Sequence, residues 1–135
     1  MATFPLELVT PERLMFSEEV QAVRAPGIDG SFGVLAGHAP LLTQLTVGLI
    51  KITLANGSEE LIATGGGFMQ VSREKVIILA DSAHKVSEID LAREQAEAAR
   101  MRQALEVPGN SAEAEKLRED LEATVNRIRI AQMSH

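Results

Sequence analysis

Gly27-x-x-Gly30-x-x-Gly33 is the first spacing in this chain that could do chemistry, because closely spaced glycines let backbone N–H groups close around a phosphate. It lacks both the Gly-x-Gly-x-x-Gly order of a dinucleotide turn and the Gly-Lys-Ser/Thr ending of a P-loop. These glycines read instead as suppliers of positive φ at turns between short strands, and Gly65-Gly66-Gly67, with no lysine after it, reads the same way. His38 could serve as a base or a metal ligand, but Ala39-Pro40 follows it and no acidic or histidine companion stands near it in sequence. His84 and His135 are equally isolated. A metal needs several converging ligands and an acid–base site needs a positioned partner, so no metal site is expected and His38 reads as a turn or interface residue. The paired carboxylates Glu18-Glu19 and Glu59-Glu60 read as solvated groups at strand ends or turns, and no serine sits in a Gly-x-Ser-x-Gly elbow. No catalytic residue emerges, and the chain is not expected to be an enzyme.

The elements that would position these residues change character once, near Ser87. Before it, short apolar runs alternate with turn residues: Leu6–Val9 before Pro11, Val20–Val23 before Pro26-Gly27, Val47–Leu54 before Asn56-Gly57, Leu61–Ala63 before the triple glycine, and Val76–Leu79. That spacing predicts an all-β sandwich or barrel. Ala55-Asn56-Gly57-Ser58 is the sharpest hairpin signal and predicts a type I′ turn. After Ser87 the composition turns to alanine, glutamate and arginine, with no Gly or Pro until Pro108-Gly109, which predicts a helix, a turn and a second helix. Ser87 or Asp90 can cap the first helix, and Asn110 with Glu113 has capping-box spacing for the second. Ala114, Leu117, Leu121, Val125 and Ile128 form one apolar stripe, which Ala92, Ala96 and Ala99 are expected to meet from the first helix. An alanine seam removes little apolar surface from water, so the pair of helices is expected to be thinly held and able to undock.

Composition narrows the function. A chain of 135 residues fits one modest domain with an appendage, and with four Phe and no Trp or Tyr its core must be aliphatic. A net charge of −6 argues against nucleic acid, which wants a basic face. The absence of cysteine removes disulfides, thiolate nucleophiles and Cys-based metal sites, and suits a reducing compartment. The N-terminal Met1-Ala2-Thr3-Phe4 does not open a basic-then-apolar leader, and no apolar run approaches the roughly 20 residues that span a bilayer, so no direct bilayer insertion is expected. From Ser87 onward there are seven Lys/Arg against ten Asp/Glu, yet after Ala123 the only ionised side chains are Arg127 and Arg129. Two readings fit this basic tip: complementation of the helix dipole, and docking onto an acidic partner surface.

Gly30-Ser31-Phe32-Gly33-Val34-Leu35-Ala36-Gly37-His38-Ala39-Pro40-Leu41-Leu42, the later Gly65-Gly66-Gly67-Phe68 and Ile89-Asp90-x-x-Arg93 together resemble the epsilon subunit of rotary ATP synthases, and the resemblance runs along essentially the whole chain. It implies an α+β fold, with an N-terminal all-β sandwich of two sheets over residues 1–86 and a C-terminal antiparallel two-helix hairpin over 87–135. It further implies a non-catalytic central-stalk rotor subunit of a proton-driven enzyme. The sandwich would dock on the gamma subunit and the c-ring, and the hairpin would extend toward the alpha and beta subunits of the catalytic head to block hydrolysis, with one copy per complex. The location implied is the cytoplasmic face of a bacterial plasma membrane, or a thylakoid. Partner contacts would fall on Ser31, His38, Leu42, Thr43, Arg127 and Arg129. No cofactor is required by this resemblance. Some members bind ATP in the folded hairpin, and Ile89, Asp90, Arg93, Arg100 and Arg127 stand at the matching positions, which leaves a nucleotide sensor as the alternative function. Three residues depart from the ATP-binding pattern: Glu94 for alanine, His84 for glutamate and Ala123 for arginine. A glutamate beside a polyphosphate repels it, and a lost arginine removes a charge-assisted contact. Ser31 stands at a position often acidic in relatives.

Overall fold

The computed structural model describes residues 2–106 and 111–133. Seven strands come first: β1 (Phe4–Val9), β2 (Leu14–Gly27), β3 (Gly30–Leu35), β4 (Leu41–Leu54), β5 (Glu59–Val71), β6 (Val76–Ala80) and β7 (Ala83–Lys85). A 3-10 turn at Val86–Glu88 leads into α1 (Leu91–Glu106) and α2 (Ser111–Met133). The strands join in the order β1-β6-β5-β4-β2-β3, β7 pairs with β5, and β1 also pairs with β2, so the ladder closes on itself. The two layers of the sandwich therefore share strands. The first half of β2 lies along β1, and its second half lies between β3 and β4.

Alternation drives this arrangement, since successive side chains on a strand face opposite ways. In β4, Leu45, Ile50 and Ile52 are buried, and from β5 and β6 Ile62, Met69 and Ile78 meet them in an aliphatic core with Leu6, Leu8, Val20, Val23 and Val34. Each of these is at most a few per cent exposed, so the missing aromatics are replaced by close packing of branched side chains.

Two turn expectations change. The hairpin between β4 and β5 is not type I′, because no residue other than glycine among those described has a positive φ. Instead the Gly57 N–H donates to the carbonyl of Leu54 at 2.9 Å and Gly57 alone takes φ +89°, the three-residue form of the turn. Asn56 contributes through its side chain, whose Oδ1 accepts from the Ser58 N–H at 2.9 Å. Gly65-Gly66-Gly67 does not end a strand either. It lies inside β5, where Gly66 and Gly67 at φ +106° and +141° kink the chain, and a side chain at Gly67 would collide with the backbone of Leu79 and Ala80. Glu18 and Glu19 likewise sit within β2 rather than at its end, both exposed to solvent.

Asp90 caps α1: its Oδ1 accepts from the Arg93 N–H at 3.2 Å, while Ser87 falls in the 3-10 turn. Asn110 and the Pro108-Gly109 turn lie outside the described residues. The expected alanine seam is overturned, since Ala92, Ala96 and Ala99 are exposed and the inward positions of α1 are Leu91, Glu94, Ala98, Met101 and Leu105. A charged residue in the middle of that stripe hides it from an apolar count. On α2, Leu117, Leu121 and Ile128 are half-buried as expected, but Val125 is exposed and the fully covered side chains are Thr124, Asn126, Ile130 and Ala131. Ile130 joins Ala63 and Val86 in a small second core, flanked by Leu49, Leu61 and Ile89, between α2 and the sandwich.

Beside that core, Asn126 donates from Nδ2 to the carbonyl oxygens of Gly48 at 3.0 Å and Thr64 at 3.4 Å, and its Oδ1 accepts from Arg129 Nη2 at 2.8 Å. A buried amide satisfied at both ends fixes the rotation of α2 about its own axis. Replacing it by Ala leaves two strand carbonyls facing the helix without this donor, at a cost of about 1–3 kcal/mol. Asn126→Ala is therefore expected to speed amide exchange in α2 about five- to 150-fold while leaving β4 and β6 unchanged; equal exchange in α2 would show that the apolar contacts alone hold it.

Candidate functional site

The two-helix unit meets the sandwich along a cleft of about 440 Å³ lined by His84, Glu88, Ile89, Asp90, Arg93, Glu94, Glu97 and Arg127. Local structure explains the convergence. His84 lies on β7, which β5 holds through the Ala63–His84 pairing, the 3-10 turn carries Glu88, and the Asp90 cap aims Arg93 and Glu94 from the first turn of α1. Four of the five sequence candidates for nucleotide contact are thus brought together: Ile89, Asp90, Arg93 and Arg127. Arg100 is not among the lining residues; it is exposed and pairs with Glu97 on its own helix.

The electrostatics do not favour a polyphosphate. Four carboxylates face two guanidinium groups across the cleft, and one of the two is already engaged: Arg127 Nε donates to Glu94 Oε1 at 3.0 Å and Nη2 to Thr124 Oγ1 at 2.9 Å. With 13% and 16% exposure, Arg127 and Glu94 form the most buried ion pair among the described residues. Arg129 differs: it is exposed, and its contacts, to Asn126 Oδ1 at 2.8 Å and the Met133 sulfur at 3.9 Å, lie within α2 itself. In this conformation Arg127 alone of the tip arginines is turned to a partner on another element.

A second surface carries a row of apolar side chains. Antiparallel and parallel partners directly opposite each other share a face, so Leu14, Val9, Leu79 and Phe68 line up across β2, β1, β6 and β5 on the outside of the sandwich. Leu14, Leu79 and Phe68 are each half exposed or more. Leu42 is 69% exposed and flanks the row one step along, opposite Gln70, with Ile77 beyond it. Large apolar side chains contiguous on a surface mark a contact face. Sequence reasoning picked out Leu42 but missed Phe68 and Leu79, which sit in strand-patterned runs that look like core until the register is known.

The remaining contact candidates spread out. Thr43 turns toward the core side opposite buried Met69. His38 is exposed, its Nδ1 2.8 Å from the Ala39 carbonyl, and it borders a small crevice with Val71, Arg73 and Lys75 near the β5–β6 turn. Ser31 sits at the opposite end of β3, where its hydroxyl lies 3.5 Å from Arg24 Nη1.

A family model described as the beta-sandwich domain of the ATP synthase delta/epsilon chain matches residues 3–86. The chain is 39% identical over 127 residues to the ATP synthase epsilon chain of Desulforamulus reducens, covering 94% of this chain and 96% of that one.

The chain belongs to the ATP synthase epsilon-chain family.

Relatives extend to a sodium-ion-specific epsilon chain from Propionigenium modestum, 39% identical over 132 residues with 98% and 96% of the two chains covered. Among solved structures, a chain of the Euglena gracilis mitochondrial ATP synthase superimposes with a TM-score of 0.77 at 24% identity, over all of this chain and 83% of that one, which shows the shared fold. The α+β architecture expected from the sequence is thus present, sandwich first and helix pair second.

A pH dependence is expected from His84, which lies at the cleft edge with part of its surface exposed. Its pKa is lowered, first because the cleft strips hydration from the ring, then because Arg127 lies near; Arg13 acts the same way, while Glu94 and Glu12 oppose. A depressed folded-state value means the docked hairpin prefers neutral His84. That contribution is complete above the ordinary value near 6.5 and is lost as pH falls through the folded one. NMR titration should find His84 below 6.5 in the intact chain and shifted upward in Arg127→Gln, with α2 exchange, corrected for intrinsic rate, rising as the ring protonates; a ring that titrates at or above the ordinary value removes this response.

Proposed function

We propose that this chain is a non-catalytic central-stalk rotor subunit of a proton-driven ATP synthase, which couples the gamma subunit to the c-ring and restrains ATP hydrolysis through its two C-terminal helices. The observation that carries the reading is the exposed apolar row of Leu14, Val9, Leu79 and Phe68 with Leu42 beside it, on a sandwich whose family is the epsilon chain. A rigid shaft in register with that row would cover it, and we assign it to gamma. Ser31, at the start of β3, and His38, in the turn after it, are exposed on the same sandwich and are the candidates for the polar loops of the c-ring. The chain has residues 1–86 as its docking unit and 87–135 as its regulatory one. It works as one copy per rotor with no active site of its own, at the cytoplasmic face of a bacterial plasma membrane or its thylakoid counterpart. No helix among the described residues is long and apolar enough to cross a membrane, so attachment through the complex suffices. A sodium-specific relative stands at the same identity as others not so named, so the proton is an expectation that rests on the family at large.

Braking would follow from release of α2. Once undocked, Arg127 loses Glu94 and, with the exposed Arg129 beside it, becomes available to acidic surfaces of the alpha and beta subunits. The ATPase rate of a catalytic head lacking this subunit decides the matter: full-length chain is expected to inhibit, and a version ending at Val86 to bind without inhibiting. Phe68→Glu, which buries a charge against gamma, is expected to weaken binding of either form at least tenfold; unchanged affinity would move gamma to another face.

A nucleotide-sensing role is the second reading, favoured only by the convergence of Ile89, Asp90, Arg93 and Arg127 on one cleft. The residues present do not suit a polyphosphate, because Glu94 holds the arginine that would receive it. Calorimetry with millimolar ATP is expected to show no binding to the native chain and measurable binding to Glu94→Ala; heat of binding in the native chain would restore the sensor.

A further inference from the structure

We propose that Glu94 is a built-in ligand of Arg127, an internal carboxylate latch that keeps the hairpin folded and that any external acidic surface must displace. The pair is the one ion pair joining α1 to α2 among the described residues; the other helical pairs, Glu97–Arg100 and Lys116–Asp120, each lie within one helix and are far more exposed. Position 94 belongs to the inward stripe of α1, between Leu91 and Ala98, where an apolar residue would pack without any partner. The carboxylate there is matched to one guanidinium, and the guanidinium is held on the other side by buried Thr124, whose hydroxyl donates to the Asp120 carbonyl at 2.9 Å and lies against Met101.

Pairing of the helices commits Arg127 Nε to Glu94, while its Nη2 contact to Thr124 lies within α2. An incoming carboxylate can take the Nε edge of the guanidinium only by displacing Glu94. Separating α1 from α2 breaks the pair at once and uncovers a cation on one helix and an anion on the other. Removing a single partner from a partly buried pair is costly because the survivor is left without its counter-charge. The hairpin therefore carries its own threshold for release, set by residue 94 and independent of any bound nucleotide.

The latch itself stands apart from the braking role, but its consequence for hydrolysis rests on that proposed function. The test is amide exchange by mass spectrometry on the full chain as wild type, Glu94→Ala and Glu97→Ala. Alanine raises intrinsic helix propensity, so loosening at position 94 is not a propensity effect. The first-turn carboxylate's interaction with the helix dipole accounts for only about 0.3–1 kcal/mol of it, about two- to fivefold in exchange. Glu94→Ala is expected to speed exchange of α1 and α2 peptides about tenfold or more with β-strand peptides unchanged, and Glu97→Ala to stay within about twofold of wild type, its partner being exposed. Raising salt should speed wild-type opening and leave Glu94→Ala nearly unaffected. Helix exchange in Glu94→Ala within twofold of wild type overturns the latch. Added to the depleted catalytic head, Glu94→Ala should inhibit at lower concentration than wild type; a variant that opens readily yet inhibits no better defeats the braking reading and leaves the latch intact.

Discussion

Asn126 donates to the carbonyl oxygens of Gly48 and Thr64, and this contact fixes which face of α2 meets the sandwich. With that rotation set, Ile130 falls against Ala63 and Val86, Arg127 points along α1 rather than into solvent, and Thr124 comes under Met101. A helix held only by apolar contact can slide or roll at little cost; one held by a two-carbonyl bridge has a single seating. The cleft, its charge and the pairing of its arginines all follow from that seating.

The strand domain was legible in the sequence because alternation and turn residues carry most of its information. What was not legible came from residues acting against their usual role. Gly65-Gly66-Gly67 punctuates a strand without ending it, because the ladder continues on both sides of the kink and the neighbouring backbone leaves no room for a side chain. Glu94 breaks the apolar stripe of α1 and so shifts the apparent inner face by one residue, onto alanines that are in fact exposed. Its partner lies 33 residues away, which no local pattern reports. The cleft is half legible: the family resemblance marks Ile89, Asp90, Arg93, Arg100 and Arg127 and the repelling Glu94, but not that Arg100 stands outside the lining and that Glu88 and Glu97 join it.

Arg127 and Arg129 show how a basic helix tip can be present in sequence and silent in structure. Arg127 is paired with Glu94 across the two helices, Arg129 contacts Asn126 one turn back on its own helix, and Asn126 in turn holds the sandwich, so α2 is anchored on two different surfaces. Disengaging the tip thus requires losing contacts to α1 and to the sandwich together, which gives the transition between seated and free helix its cooperative character.

The closed ladder has a consequence for the order in which the molecule is made. Leu6 pairs with Glu18 of β2, close in sequence, but its other edge waits for Val76, so the ring stays open until nearly all the strand sequence has emerged. Pairings this distant in sequence form slowly. The helices follow last, and the surface that seats them is built from β4, β5 and the 3-10 turn. Every strand precedes the helices in the chain, so the seated form is a product of β assembly rather than a guide to it.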